Sequence, residues 1–155
     1  MNCKISHLEY FLPEKVVSNE DLKKENPSWD VDAFVGKTGV LTRHIAKPEE
    51  TALDLAEKAC QKILVHSKID RQNIDGIIFC TQSPDYILPP NATLLHDRLK
   101  LNDYVLAFDI NLACSGYLYG LAIAKAFFNS LPPLLPNNLT TSIKYLELLI
   151  MINKR

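Results

Sequence analysis

A cysteine at a strand-to-helix junction is the residue of this sequence best placed for covalent chemistry. Cys114 follows an apolar run from Tyr104 to Ile110, typical of a buried strand, and precedes a helical pattern that ends near Phe128. Backbone N–H groups and the positive end of the helix dipole converge at such a junction and favour thiolate over thiol. A thiolate is a nucleophile, so this position predicts a catalytic Cys114. A buried structural cysteine is the alternative.

Composition excludes several classes of function. The chain has 155 residues and a formal net charge of −1, so neither nucleic acid nor a membrane surface is expected as a partner. It opens without a basic-then-apolar signal segment, and none of its apolar runs has the length of a transmembrane span. We therefore expect a cytoplasmic protein with room for one ordinary domain.

The cysteines and histidines show no metal-binding or disulfide pattern. The four cysteines are widely separated, and the four histidines are equally scattered. We therefore expect free thiols and no metal site. Glycines flank Lys37 and Thr38, but the first half of a phosphate loop is missing there. A turn over residues 36–40, in which glycine permits positive φ, is the favoured interpretation.

The elements that would position Cys114 alternate between helix and strand. Helices that alternate with buried strands imply right-handed crossovers and a mostly parallel sheet with helices on both faces. In such sheets chemistry collects at the carboxyl ends of strands, and Cys114 lies just past one. The pattern predicts strands over residues 4–12, 76–81 and 104–110, an extended piece over 41–46, and helices over 19–26, 30–34, 51–67, 91–100 and up to about 128.

The sequence AFDINLACSGY, from Ala107 to Tyr117, closely resembles the active-site signature of β-ketoacyl-acyl-carrier-protein synthase III, a thiolase-fold condensing enzyme. The resemblance extends over roughly residues 1–130 and includes three upstream segments, TGV with RHIA (residues 38–46), the helix over 51–60 and the strand over 75–83. It implies an α/β chain with the N-terminal half of a thiolase-like fold, in which a mixed, largely parallel sheet carries helices on both faces.

The resemblance also implies a reaction and its partners. Cys114 would accept an acyl group from acyl-CoA, and the carbanion from malonyl-acyl carrier protein would then attack that thioester. The backbone N–H of Cys114 would donate to the oxyanion. The substrate-binding residues would be Lys37, Thr38, Arg43 and Gly116. Acyl carrier protein and acyl-CoA are thus the expected partners, in a homodimer. No resident cofactor is expected, because the thioester is itself the substrate.

Two details of that resemblance leave alternatives open. Lys37 stands where the family has an arginine, and Ala33 stands where it has a tryptophan that grips CoA. Lysine lacks the planar fork of arginine, so an acyl donor other than CoA is an alternative. Gly116 and Ala113 would let an acyl chain approach the backbone, and close helix–sheet packing is the alternative reason for their small size.

The end of the chain departs from the family pattern. Family members are about twice as long, and their catalytic histidine and asparagine lie in a second half that has no match here. We expect residues 1–130 to form the thiolase-like domain and 131–155 to be a divergent tail, left by truncation or a frameshift. Translating the other reading frames beyond Ser130 would test this.

The sequence is compatible with three functions. The first is a truncated synthase III-like protein of fatty-acid biosynthesis that is inactive in condensation. The second is a non-catalytic fragment or interaction module that pairs with an intact synthase subunit through the strand and loop around Cys80 to Pro90. The third is a thiol-dependent acyl carrier or redox protein that uses Cys114 alone. Labelling with iodoacetamide separates an accessible nucleophile from a buried structural cysteine.

Overall fold

The computed structural model describes residues 4–130 and 145–150. The chain divides into two compact units, one formed by Met1–Phe11 with Ala52–Arg155 and the other by Leu12–Thr51. The smaller unit contains two strands that pair antiparallel and two helices between them. Its elements are β1 (Lys15–Ser18), α1 (Asn19–Glu25), α2 (Val31–Thr38) and β2 (Thr42–Ile45).

Local capping explains the helices of the smaller unit. The Ser18 hydroxyl accepts from the Asp21 N–H at 3.1 Å, and the Asp21 carboxylate accepts from the Ser18 N–H at 3.0 Å, so α1 begins with a capping box. Asp30 caps α2, and Gly39 ends it with a left-handed φ of 67°. The predicted turn over residues 36–40 is therefore wrong in its first part, because Lys37 lies within α2.

The larger unit is built on a three-stranded parallel sheet in the order β4-β3-β5. The central strand β3 pairs with β4 on one side, from Gly76↔Leu106 to Cys80↔Ile110. On its other side β3 pairs with β5, and this pairing ends at Cys80↔Ile150. The elements in chain order are α3 (Ala52–Ser67), β3 (Ile74–Cys80), α4 (Asn91–Leu99), β4 (Leu106–Ile110), α5 (Gly116–Ser130) and β5 (Tyr145–Ile150).

Helices cover β3 on both faces, as the sequence predicts. Ile77 and Phe79 are buried in a cluster with apolar residues of α3 and α4. Cys80 points the other way and packs against Gly116 at the start of α5, because successive side chains of a strand face opposite sides. Phe108 on β4 joins this second face through an edge-to-face contact with Phe127 of α5, with ring centroids 5.7 Å apart.

The predicted strand over residues 4–12 is wrong. These residues form no regular element and lie along α3 instead. The Lys62 ammonium donates to the Tyr10 carbonyl at 3.1 Å, and the Lys58 ammonium lies 4.6 Å from the centre of the Phe11 ring. An alternating pattern becomes a strand only when it finds a hydrogen-bonding partner, and within the described residues this segment pairs with none of β3, β4 and β5.

Part of the predicted divergent tail contributes to the sheet. β5 (Tyr145–Ile150) falls within residues 131–155 and pairs with β3 in parallel. The remaining tail residues, 131–144 and 151–155, lie outside the described residues, so the boundary at 130 stays a prediction. In the part of the chain that the structure covers, each helix is too short or too polar to cross a membrane.

Candidate active site around Cys114

Cys114 lies in a tight turn between β4 and α5. The Ala113 carbonyl accepts from the Gly116 N–H at 2.9 Å, which places Cys114 and Ser115 at the two central positions of a β-turn. Cys114 is exposed and carries a free thiol. A small electrophile, such as an acyl thioester, can therefore approach Cys114 from solvent.

The same turn starts α5. The Ser115 carbonyl accepts from the Tyr119 N–H at 3.1 Å, so the helical hydrogen-bond ladder begins one residue after Cys114. The first N–H groups of a helix have no partner inside it and carry about half a positive charge in sum. Cys114 occupies the predicted strand-to-helix junction, next to these N–H groups. Its catalytic role stays a prediction.

A second cysteine lies beneath the turn. Cys80 is 1% exposed, and its Sγ donates to the Leu112 carbonyl at 3.6 Å. Burial raises the pKa of the Cys80 thiol, so it stays protonated at neutral pH. Gly116 is buried against the Cys80 Sγ and the Leu112 Cβ, and a methyl group on Gly116 would overlap that sulfur. Close helix–sheet packing thus accounts for Gly116, and its predicted contact with substrate stays a prediction.

A network of acidic and amide side chains fixes the carboxyl end of β4, just before the Cys114 turn. The Asp109 carboxylate accepts from the Asn91 N–H at 2.8 Å and from the Ala92 N–H at 2.7 Å, at the start of α4. The fully buried Asn91 side chain in turn donates to the Asp85 carboxylate and accepts from the Asp85 N–H, both at 3.2 Å. Asp85 also accepts from the Leu53 N–H at 3.4 Å, at the start of α3.

Sequence reasoning did not identify this network, because its members are far apart along the chain. Asp109 lies within the cysteine motif, but its residue type alone does not reveal a partner 18 residues upstream. A usable signal was the lack of a capping side chain at Pro90, which leaves the α4 N–H groups in need of an acceptor.

Helix α5 presents two contrasting faces. Small residues face the sheet and let the helix approach it closely: Gly116, Gly120 and Ala124 are buried. The opposite face beside the Cys114 turn is apolar and open, with Tyr117, Leu118 and Tyr119 exposed by 38%, 69% and 58%. An exposed apolar surface of this kind suits an acyl chain or further protein.

Arg43, predicted to bind substrate, is engaged in the smaller unit. Its guanidinium donates to the Ser18 carbonyl at 3.2 Å and to the Val17 carbonyl at 3.4 Å, and it also donates to the Asn19 side-chain oxygen. These bonds tie β2 to the β1–α1 junction. The geometry shows a structural task for Arg43, and substrate binding by it stays a prediction.

Lys37 and Thr38 lie at the last turn of α2. Both are exposed, and the Thr38 hydroxyl donates to the Phe34 carbonyl at 2.9 Å. The structure therefore brings Cys114 and Gly116 together in the larger unit, whereas Lys37, Thr38 and Arg43 belong to the smaller one. Within the described residues, no group of three or more His, Cys, Asp or Glu side chains is arranged to hold a metal ion.

The chain is similar to curated sequences named β-ketoacyl-acyl-carrier-protein synthase III. No protein-family model matches the chain. The β-ketoacyl-acyl-carrier-protein synthase III of Chlamydia pneumoniae is 42% identical over 120 residues, which are 77% of this chain and 35% of that protein. The synthase III of Sulfurimonas denitrificans is 42% identical over 121 residues, which are 77% of this chain and 36% of that protein. The chain resembles the amino-terminal part of β-ketoacyl-acyl-carrier-protein synthase III.

Solved structures agree on the fold. A crystal structure of a 3-oxoacyl-acyl-carrier-protein synthase III matches with a TM-score of 0.73 and 41% identity, over 79% of this chain and 36% of that one. The synthase III of Aquifex aeolicus matches with a TM-score of 0.71 and 37% identity, over 79% of this chain and 39% of that one. The predicted thiolase-like fold is thus confirmed for the matched part.

The match is partial on the side of synthase III. The chain spans 35% of the length of the relative from Chlamydia pneumoniae, so most of that protein has no counterpart here.

Proposed function

We propose that this chain accepts an acyl group on Cys114, as in the first half-reaction of a synthase III-like enzyme of fatty-acid biosynthesis. One observation carries the proposal: an exposed free thiol lies in the turn that opens α5, inside a sequence similar to synthase III. A merely structural cysteine would be expected to be buried, as Cys60 and Cys80 are.

The proposed step is a thioester exchange. The Cys114 thiolate attacks the acyl carbonyl carbon of the donor, and a tetrahedral intermediate forms with its charge on oxygen. Backbone N–H groups of the turn and of the first α5 residues would stabilise that oxyanion. The intermediate collapses with loss of the donor thiolate, which takes up the proton that Cys114 released. No resident cofactor is needed, and we propose a cytoplasmic setting.

Condensation would need more than these 155 residues. The family resemblance assigns decarboxylation of malonyl-acyl carrier protein to a histidine and an asparagine that have no counterpart here. Catalytic groups that act as a unit lose most of their effect when one member is missing. We therefore propose that this chain alone forms the acyl-Cys114 thioester and does not elongate it.

Acetylation followed by mass spectrometry tests the proposal. The folded chain is incubated with acetyl-CoA, and the acetyl increment is located by peptide mapping. We expect the increment on the Cys114 peptide and its loss in Cys114→Ser, because a hydroxyl does not supply a thiolate. No increment in a chain shown to be folded, or an equal increment on Cys60, would refute the proposal.

The donor class is tested by comparing two thioesters. Acetyl-N-acetylcysteamine carries the reacting end of acetyl-CoA without its nucleotide. We expect Lys37→Ala to slow acetylation from acetyl-CoA by about fivefold, the value of one exposed charge pair, and to leave the short donor unaffected. Lys15→Ala is the matched control, an exposed lysine of the same unit. Equal effects on both donors would exclude a CoA-binding role for Lys37.

The second candidate function is that of an interaction module, and an exposed loop favours it. Tyr86, Ile87 and Leu88 are 60%, 93% and 78% exposed, while Asp85 and Asn91 fix the base of this loop. A rigidly based apolar tip is a typical protein contact. We propose that it pairs with a second copy or with an intact synthase subunit.

Sedimentation experiments separate this candidate from a purely catalytic chain. We expect association of the chain with itself or with a full-length synthase III, and its loss in Ile87→Asp. Val65→Asp is the control, since Val65 is 71% exposed on α3. Association that survives Ile87→Asp would remove this loop from consideration.

A further inference from the structure

The turn that carries Cys114 is held at both ends by one buried atom. The Cys80 Sγ donates to the carbonyl of Leu112, two residues before Cys114, and packs against Gly116, two residues after it. We propose that Cys80 is the positioning residue for Cys114, because its sulfur fixes both the entry and the exit of the turn over residues 112–116.

Cys80 is itself rigidly placed. It ends the central strand β3, where it is paired with Ile110 on one side and Ile150 on the other. The next residue, Thr81, donates its N–H to the Ile110 carbonyl at 3.1 Å, and its side chain is fully buried. The sulfur is thus attached to the best-supported strand of the sheet, whereas Cys114 and Ser115 are exposed.

The chemistry of the Cys80 side chain suits positioning rather than reaction. Its burial keeps the thiol neutral, so the S–H remains a donor to the Leu112 carbonyl. Its size sets how far α5 can approach β3, since the space at position 116 admits only a hydrogen atom. A change at either residue would therefore move the first turn of α5 relative to Cys114.

Placement at this scale matters for a nucleophile. A shift of about 1 Å in a reacting group can lower a rate by about 100-fold. The inference rests on the proposed function in one respect only, because acyl transfer is the reaction that the placement of Cys114 would serve. The placement itself is read from alkylation of Cys114, which needs no acyl donor.

The test is a size exchange between positions 80 and 116. The rate of alkylation by iodoacetamide is measured at the Cys114 peptide under native conditions, and the free energy of unfolding is measured separately. We expect Gly116→Ala to slow alkylation by at least about tenfold. The double variant Cys80→Ala/Gly116→Ala should return to within about threefold of the wild type, because the added methyl then replaces the lost sulfur.

Gly36→Ala is the matched control. Gly36 is also a helical glycine, but a Cβ there would meet nothing within 4 Å. We expect it to leave alkylation of Cys114 unchanged. If Gly116→Ala does not fold, Cys80→Ala and Cys80→Ser test the inference instead. Cys80→Ala should slow alkylation of Cys114 about threefold, which corresponds to one modest hydrogen bond. Cys80→Ser should restore much of the alkylation rate, because its hydroxyl can donate to the Leu112 carbonyl.

Two results would overturn the inference. One is an unchanged alkylation rate in Gly116→Ala, even when the free energy of unfolding falls, because the contact would then be structural only. If Gly116→Ala does not fold, an unchanged alkylation rate in Cys80→Ala has the same meaning. The other is a slow Gly116→Ala that Cys80→Ala does not rescue. A wild-type chain that alkylates normally at Cys114 but takes no acetyl group from acetyl-CoA would refute the proposed function and leave the size exchange as a valid test of positioning.

Discussion

The carboxylate of Asp109 offers the most direct test of how β4 is held beside α4. It accepts two backbone N–H groups, at 2.8 and 2.7 Å, from the first residues of a helix that has no side-chain cap. Asp109→Asn keeps the shape of the side chain but removes its charge and replaces one acceptor oxygen with a donor NH2 group. That NH2 group would then face a backbone N–H.

The size of the effect follows from the bonds lost. Each charge-assisted hydrogen bond contributes about 1.5–3 kcal/mol, and asparagine retains one neutral bond worth about 0.5–1.5 kcal/mol. The charge near the helix N-terminus adds about 0.3–1 kcal/mol. We therefore expect Asp109→Asn to lower the free energy of unfolding by about 3–5 kcal/mol, a large share of the roughly 5–15 kcal/mol typical of a domain.

Urea unfolding followed by circular dichroism measures this loss. We expect a lower midpoint with an unchanged slope, since the surface exposed on unfolding stays the same. Hydrogen exchange at the Asn91 and Ala92 amides should accelerate, because these are the donors that lose their acceptor. Asp103→Asn is the control, an exposed aspartate in the turn before β4, and should change stability by less than about 0.5 kcal/mol.

The reasoning would be refuted by a loss below about 0.5 kcal/mol in Asp109→Asn, which is the range of an ordinary surface substitution. It would equally be refuted by faster exchange spread over the whole domain with none specific to the start of α4. In either case α4 would draw its position from apolar packing alone.

Three further predictions concern other parts of the chain. The hydrogen bond from His66 lowers the pKa of Glu9, so His66→Ala should raise that pKa toward its ordinary value in a carbon-detected NMR titration. Because the folded-state pKa is depressed, the stabilisation it reports is present above the unfolded-state pKa and is lost as pH falls through the folded-state value. Ser18→Ala removes the cap of α1 and should cost about 1 kcal/mol in urea unfolding. Phe79→Ala should cost about 3–5 kcal/mol in the same assay, because the ring is fully buried in the core.

Local chemistry was enough to predict most helices and the site of Cys114. The cap at Ser18 and the periodicity of α3 act between residues a few positions apart, so the sequence displays them directly. The buried run of β3 and the small residues before α5 are local signals in the same sense. The family signature added a proposed reaction for Cys114.

Long-range pairing was beyond the sequence. Residues 4–12 alternate as a strand would, yet they lie along α3, and β5 from the end of the chain pairs with β3 instead. A strand is stabilised by hydrogen bonds to another strand, and nothing in an alternating pattern states which segment will supply them.

The contacts that support the candidate site are also made between residues far apart in the sequence. The sequence by itself determined that Cys114 stands between a strand and a helix. Only the tertiary structure decided that Cys80 lies beneath that turn and that Asp109 receives the start of α4. These contacts join residues 17–32 positions apart, and they exist because parallel strands bring the ends of distant segments to one edge of the sheet.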